Sequence, residues 1–118
     1  MIEREALNKL FEVIGESSES LAELIESFLE ESPVLLDQLR QAADKGDRIS
    51  LGRAAHTLKS SARDFGANQL SVSCEALEKK CRDGLPEQAA VQIDAIVAEC
   101  TVAQSELNLH LIELRRMG

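Results

Sequence analysis

A run of amphipathic helical segments separated by short breaks constrains this chain more than any other feature. Apolar residues recur at the i, i+3, i+4, i+7 spacing of a helix, and no recurring two-residue alternation predicts strands. The breaks fall at Gly15, Gly46, Gly66 and Asp83–Pro86. Short connections make consecutive helices antiparallel neighbours. The sequence therefore predicts an all-α protein, an antiparallel up-down-up-down four-helix bundle with an additional N-terminal helix.

Capping residues locate the helix ends. The predicted helices cover approximately residues 2–14, 20–45, 48–65, 68–82 and 87–115. Ser20 with Glu23 has the capping-box pattern, which predicts that the second helix begins there. Asp47 and Asn68 are predicted to cap the third and fourth helices. Ser32-Pro33 suits a helix start, so whether the second segment is one kinked helix or two stays open.

The length of the chain favours a single domain. A chain of 118 residues can build one hydrophobic core. We expect one helical domain over 1–118, with the N-terminal helix and its cap at 1–19 and the bundle at 20–115. Only 3% of the residues are aromatic, and strong helix formers dominate. The composition therefore agrees with the helical periodicity.

The charge of the chain excludes several classes of partner. The formal net charge of −8 argues against nucleic acid and against an anionic membrane surface, since both are held by clustered Lys and Arg. No apolar run approaches the roughly 20 residues that span a bilayer. The N-terminal segment, residues 1–5, is too charged for a secretory signal. We expect a cytoplasmic protein without nucleic-acid or membrane partners.

The cysteines fit a hydrophobic core better than a metal or redox site. The three cysteines show no C-x-x-C spacing. Cys74 and Cys81 are seven residues apart and share a helix face with Leu77, and Cys100 falls in the apolar stripe of the last helix. Di-iron bundles need Glu-x-x-His motifs, which do not occur here. We expect no metal site and no cofactor of the protein's own.

The third predicted helix carries an exposed histidine. Its apolar stripe contains Leu51, Ala54, Leu58, Ala62 and Phe65. His56 points away from that stripe. Small, basic and apolar residues share its outer face: Ile49, Gly52, Arg53, Lys59, Ser60 and Arg63. His110, the second histidine, falls beside the buried stripe of the last helix, which favours no chemical role.

The neighbours of His56 leave its imidazole accessible. Helical side chains lean toward the N-terminus, so a large residue four positions later would cover the ring, and here that residue is Ser60. Gly52, four positions earlier, costs about 0.8–1 kcal/mol in a helix relative to Ala, which points to a packing or functional reason. Neutral imidazole is a good nucleophile for phosphoryl groups. A partner must then supply the metal and the transition-state clamp.

These residues resemble a known family. Ala55-His56-Thr57-Leu58-Lys59-Ser60-Ser61-Ala62, followed by Gly66-Ala67, Leu70, Cys74 and Leu77-Glu78, is similar to the signature of histidine-containing phosphotransfer (HPt) domains. The similarity covers residues 20–85. The chain departs from the family pattern at Ser60, where glycine is usual. Serine is small enough to keep His56 accessible.

The resemblance implies a function and a set of site residues. His56 would be phosphorylated and would relay the phosphoryl group between receiver-domain aspartates of a two-component phosphorelay. Lys59 would correspond to the lysine that helps to neutralise the phosphohistidine. From their places on the outer face of the helix, we also expect Ser60 and Arg63 to stabilise the phosphoryl group, and a partner-binding face to combine Lys59 and Arg63 with three further residues. Those three residues are Ile49, Gly52 and Arg53.

The resemblance also implies partners. They would be response-regulator receiver domains, which bring Mg²⁺, and an upstream hybrid sensor histidine kinase. The protein itself would be a monomeric phosphocarrier without autonomous kinase activity. The alternative is a non-catalytic helical adaptor or receiver-binding module.

Overall fold

The computed structural model describes residues 2–117 of the chain and confirms the all-α class. Five helices lie within that range. They are α1 (Arg4–Val13), α2 (Ser18–Asp44), α3 (Arg48–Asp64), α4 (Asn68–Asp83) and α5 (Ala89–Met117). Helices α2 to α5 form the antiparallel bundle and α1 is the additional N-terminal helix, as the periodicity predicts.

The bundle places α3 diagonally across from α5. Helix α2 packs against α3 and α5, and α4 packs against the same two helices. The most deeply buried large side chains come from all four helices. They are Ile25, Leu39, Leu51, Leu58, Leu70, Leu77, Ile93, Ile96 and Leu107. Burying each such side chain stabilises the fold by about 1.5–3 kcal/mol, so this core holds the outward residues of α3 in place.

Helix α1 covers the end of the bundle where α3 turns into α4. The Glu3 N–H donates to the Gly66 carbonyl at 3.0 Å, and α1 contacts α2 and α3. Gly66 has φ of +76°, and a Cβ there would lie 2.7 Å from the Cβ of Ala6. Only glycine meets both demands. Helix α1 is therefore fixed against this end of the bundle.

Helix α2 is one helix through Pro33, which settles the question that its sequence left open. Ser32 does not act as a cap: it is buried, and its hydroxyl accepts a hydrogen bond from Gln104 Nε2 at 2.8 Å. This bond joins α2 to α5 and satisfies a polar group inside the core. The loss of one backbone bond at the proline is tolerated within this packed helix.

Two of the predicted caps are wrong. Ser17 caps α2 by accepting the Ser20 N–H at 3.1 Å, so the second helix begins at Ser18 and not at residue 20. Ala67 occupies the cap position of α4, and Asn68 is already helical. Asp47 is confirmed as the cap of α3, since its side chain accepts the Ser50 N–H at 3.1 Å.

The three cysteines are buried in the core as predicted. Burial raises the pKa of the Cys74 thiol to about 12 and that of Cys100 to about 11. Burial also raises the pKa of Cys81. A thiol that stays protonated is a poor nucleophile and a poor metal ligand, so these side chains fill space.

Candidate functional site

His56 lies on the outer face of α3 with 59% of its side chain exposed. Its sequence neighbour Ala55 and the apolar stripe of α3 are buried. The helix therefore fixes the backbone of His56 against the core while the ring faces solvent. This confirms the exposure that the helical periodicity predicts.

A carboxylate on the neighbouring helix orients the ring. His56 Nδ1 lies 2.7 Å from Oε2 of Glu78 on α4, whose side chain is only 14% exposed. An ionised carboxylate only accepts hydrogen bonds, so Nδ1 carries the proton in this contact. Nε2 of the neutral ring then holds the free lone pair. The contact thus leaves Nε2 as the ring atom with an available lone pair.

The same carboxylate also binds Lys59. Lys59 Nζ donates to Glu78 Oε1 at 2.6 Å, so Glu78 bridges the lysine and the histidine. The hydrogen bond from Lys59 is the largest cause that holds the pKa of Glu78 below its ordinary value, and the bond from His56 adds to it. Glu78 is therefore ionised at neutral pH, as its contact with His56 Nδ1 requires.

Lys59 differs from its predicted position. The sequence placed it on the exposed face beside His56, but its side chain is only 12% exposed and turns toward α4. A lysine buried this far needs an anionic partner, and Glu78 provides it. The ion pair therefore keeps the ammonium within the site.

Ser60 also uses its side chain differently from the expectation. Its hydroxyl donates to the backbone carbonyl of His56 at 3.2 Å, a common bond inside a helix. The hydroxyl proton is therefore directed along α3 and not toward the imidazole ring. Ser60 is exposed and small, which leaves access to His56 open.

Part of the predicted partner face lines one groove of about 450 Å³ beside His56. Ile49, Gly52 and Arg53 lie along α3, and Cys81 forms part of the α4 wall. A Cβ on Gly52 would lie 3.4 Å from the Cβ of Cys81, an ordinary contact, so the packing of α3 on α4 does not itself require a glycine here. Ile49 is 52% exposed, as an outward apolar contact residue should be.

Arg63 lies beyond this groove, in the last turn of α3, and is exposed. Arg48, to which the sequence analysis gives no role, lines the groove at the N-terminal end of α3. Its side chain donates to the Cys81 carbonyl of α4 at 3.0 Å. The structure therefore brings Ile49, Gly52 and Arg53 together with His56 and places Arg63 farther along the helix.

Sequence reasoning named Glu78 only within the signature and gave it no role. Its partner His56 is 22 residues away on another helix, and periodicity along one helix cannot report a contact between two. One signal was available: Glu78 follows the inward Leu77 directly and lies four residues after the inward Cys74. A carboxylate at the edge of a buried stripe requires a cation or donor nearby.

Other kinds of site find less support in the described part of the chain. Residues 2–117 contain no group of three or more His, Cys, Asp and Glu side chains arranged to hold a metal ion. His110 is half-buried on α5. Among the helices of the described range, none is long and apolar enough to cross a membrane.

The fold and the site together define a helical bundle that presents an exposed imidazole, held by a carboxylate, on its surface. The family model for the Hpt domain matches residues 23–116. The chain therefore belongs to the Hpt domain family, and its function is histidine phosphotransfer in a phosphorelay. A search of curated proteins found no significant match.

Two solved structures share the fold. Histidine-containing phosphotransfer protein B (HptB) from Pseudomonas aeruginosa PAO1 is 24% identical, with a TM-score of 0.87 and 95% of each chain covered. The HPT domain of a sensor hybrid histidine kinase from Shewanella is 17% identical, with a TM-score of 0.75, covering 91% of this chain and 92% of the other. At these identities the likeness shows the fold alone.

Proposed function

We propose that His56 is the residue that accepts and donates the phosphoryl group, and that receiver-domain aspartates are its donor and acceptor. The observation that carries this proposal is the contact between His56 Nδ1 and Glu78 Oε2 at 2.7 Å on an otherwise exposed ring. It holds the proton at Nδ1 and directs the lone pair of Nε2 toward solvent, where a partner can approach.

The transfer step needs few groups from this chain. Nε2 of His56 attacks the phosphorus of an aspartyl phosphate; the N–P bond forms, the O–P bond breaks, and the aspartate carboxylate leaves. The imidazole becomes a cation with its proton still at Nδ1, and the ionised Glu78 stabilises that charge. The reverse step on a second receiver passes the phosphoryl group on.

Lys59 supplies positive charge close to the reacting atom. Its ammonium is held by Glu78, the residue that also holds the ring, so both lie on the same side of α3. Lysine has a flexible stem and three rotatable donors. We expect its ammonium to turn from Glu78 toward the phosphoryl oxygens once these arrive. Arg63 would contribute from one end of the face by long-range attraction, and Ser60 chiefly by being small.

The groove beside His56 would receive the partner. Ile49 offers an exposed apolar contact, Gly52 leaves room for a close approach, and Arg53 adds positive charge for an acidic receiver pocket. Mg²⁺ would come with the receiver, whose phosphorylation chemistry requires it. An upstream hybrid sensor kinase and a cytoplasmic location complete the proposal. This chain would act as a phosphocarrier without kinase activity of its own.

Transfer from a phosphorylated receiver tests the proposal. A ³²P-labelled receiver domain is mixed with the wild-type chain, and the label on the chain is tested for stability in acid and base. We expect an acid-labile, base-stable label that is absent from His56→Gln and retained by the control His110→Gln. A chain that binds the receiver without taking the label would instead be the non-catalytic receiver-binding module.

A further inference from the structure

Helix α5 has a second apolar stripe on the side that faces solvent. Its buried stripe includes Ile93, Cys100 and Leu107. On the opposite side Val91 is 65% exposed and Leu109 is 61% exposed. Six of the eight stripe positions are apolar and all are exposed: Val91, Ala95, Ala98, Val102, Ser105, Leu109, Ile112 and Arg116.

The spacing of this outer stripe is that of a coiled-coil seam. Its steps alternate between four and three residues from Val91 to Arg116 without a break. Single exposed apolar residues need no explanation. A strict heptad row along several turns is typical of a helix that packs against another helix. The stripe predicts a helical partner for α5.

The sizes of the side chains favour a second copy of the same helix in the antiparallel direction. When the two copies of the stripe are aligned head to tail about its middle, Ala95 faces Ile112 of the second copy and Ala98 faces Leu109. Val102 faces Ser105, so these three pairs each join a larger side chain to a smaller one, which favours close packing, and Val91 faces Arg116 at the ends of the stripe. In a parallel pair the alanines would face alanines and leave gaps. The stripe is therefore complementary to its own reverse.

The charges on one flank agree with the same direction. The antiparallel alignment brings Asp94 near Arg115 of the second copy, and the two-fold axis repeats this pair. In the single chain these side chains pair with Arg40 and Glu26 of α2 respectively, and both remain more than half exposed, so each is accessible to a second copy. Opposite charges at such flanking positions set the direction of helix pairing.

The other flank limits the affinity. It brings Glu99 near Glu106 of the second copy, a like-charge pair. The Glu106 carboxylate already accepts the Ile2 N–H at 2.7 Å, which turns part of its charge toward the N-terminal segment. A seam that includes two alanines and a serine buries less apolar area than one built of leucines. The dimer should therefore have a modest affinity, so that its population changes over an accessible range of concentrations.

This pairing leaves the phosphotransfer site free. Helix α3, which carries His56, packs on α2 and α4 and lies across the bundle from α5. The outer face of α5 therefore points away from His56. We propose that two copies of the chain pair antiparallel along the outer stripe of α5, forming a dimer with its two His56 sites on opposite sides. This dimer departs from the monomer that the family resemblance implies.

Sedimentation over a range of concentrations tests the dimer. The mass should rise from 12.9 kDa toward twice that value as the wild-type chain is concentrated from ~1 µM to ~1 mM. Leu109→Glu should raise the dimer dissociation constant at least about 100-fold, since each dimer buries this residue twice. Val72→Glu on α4 is the matched control, because Val72 is 60% exposed and should leave the constant unchanged.

Three results would overturn the proposal. They are a wild-type chain that stays monomeric throughout, a dimer that Leu109→Glu leaves intact, and a dimer that Val72→Glu weakens equally. Far-UV circular dichroism of each variant shows whether the helices are retained. A chain that stays monomeric would show that the stripe does not bind a second copy, and the proposed role of His56 would be unaffected.

Disulfide crosslinking tests the direction of pairing. In the antiparallel dimer Ala98→Cys combined with Leu109→Cys should crosslink under oxidation, whereas neither single variant should. In a parallel dimer each single variant would also crosslink, because each single cysteine would meet its own copy, so the single variants decide between the two directions. The native cysteines are buried, so the wild-type chain serves as the blank.

Discussion

The two histidines of this chain both lie on helices of the bundle, and they differ in the side chains that surround them. Both His56 on α3 and His110 on α5 are helical and lie close to leucines of the buried stripes. His56 is held by Glu78, which also holds Lys59. Within residues 2–117 the structure gives His110 no side-chain hydrogen bond and no ion pair. The comparison shows that the position of a histidine on one helix determines its exposure, whereas its orientation depends on a side chain of a second helix.

The region around His56 is built for approach as well as for orientation. Gly52 and Ser60 are the residues one turn before and one turn after His56, and both are small. The corresponding positions around His110 are Glu106 and Leu114. Phosphoryl transfer requires a partner to bring its aspartyl phosphate to the ring atom, so this difference in size bears directly on function.

The largest expected effect after loss of His56 itself comes from the lysine. We expect Lys59→Met to slow phosphoryl transfer from a receiver by about 100-fold, since it removes a positively charged donor placed near the transferred group. Methionine keeps the apolar stem that the buried position requires. Single-turnover transfer of ³²P measures the rate.

Lys79→Met is the control for this change. Lys79 is 63% exposed and lies 3.8 Å from Glu75, a pair on the surface of α4. Such exposed pairs contribute little, so its transfer rate should stay within about twofold of the wild type. Equal slowing by the two variants would show that Lys59 acts only through the net charge of the chain. The contact of Lys59 with Glu78 would then not distinguish the surroundings of His56 from those of His110.

The second effect concerns access to His56. Gly52→Leu should raise the dissociation constant for a receiver by about tenfold, because its side chain would enter the groove where we expect the partner. Gly52→Ala is the matched variant: its Cβ makes an ordinary contact with Cys81 at 3.4 Å. Alanine should stabilise the helix by about 0.5–1 kcal/mol and leave binding unchanged.

Isothermal titration with a receiver domain gives the affinities, and urea unfolding gives the stabilities. If Gly52→Leu binds as tightly as Gly52→Ala, the groove is not the docking surface. The partner would then approach His56 from the side of Ser60, without entering the groove.

The smallest effect is a pH dependence of stability at Glu78. Its pKa lies below the ordinary value of 4.5 in the folded chain, so its ionised form stabilises the fold above that value. This stabilisation is lost as the pH falls through the lowered pKa. The difference in unfolding free energy between the wild type and Glu78→Gln should therefore be largest near neutral pH and shrink in acid.

Urea unfolding from about pH 7 to about pH 3 measures this difference. Glu75→Gln is the control, because its pair with Lys79 is exposed and long. A difference for Glu78→Gln that stays constant across the range would mean that the ion pairs of Glu78 contribute nothing to the fold.

Much of the fold follows from periodicity and capping, and the exceptions have physical causes. Asp47 caps α3 as predicted, because its position before a helix and after a glycine is a purely local signal. Ser17 and Ser20 lie three residues apart and both are suitable N-cap residues, so residue type alone does not determine which of them caps α2. Pro33 predicts a break locally, yet the packing of α2 against α5 and α3 carries the helix through it.

The sequence predicts only those features of the site that depend on a single helix. The exposure of His56 and the opening left by Gly52 follow from the helical repeat. The turn of Lys59 toward α4 and the bridging by Glu78 depend on how α3 and α4 pack, which no single-helix pattern encodes. The outer stripe of α5 was present in the sequence but was hidden by the stronger inner stripe of the same helix.

Mapping the phosphoryl group to an atom tests the central claim most directly. The chain is phosphorylated by a receiver, digested at neutral to basic pH and sequenced by mass spectrometry, and the intact phosphoprotein is examined by ¹H–¹⁵N correlation of its imidazole nitrogens. We predict one phosphoryl group, on Nε2 of His56, with His110 unmodified. Phosphorylation at Nδ1 of His56, or on His110, would contradict the account, because the contact with Glu78 would then not direct the reaction.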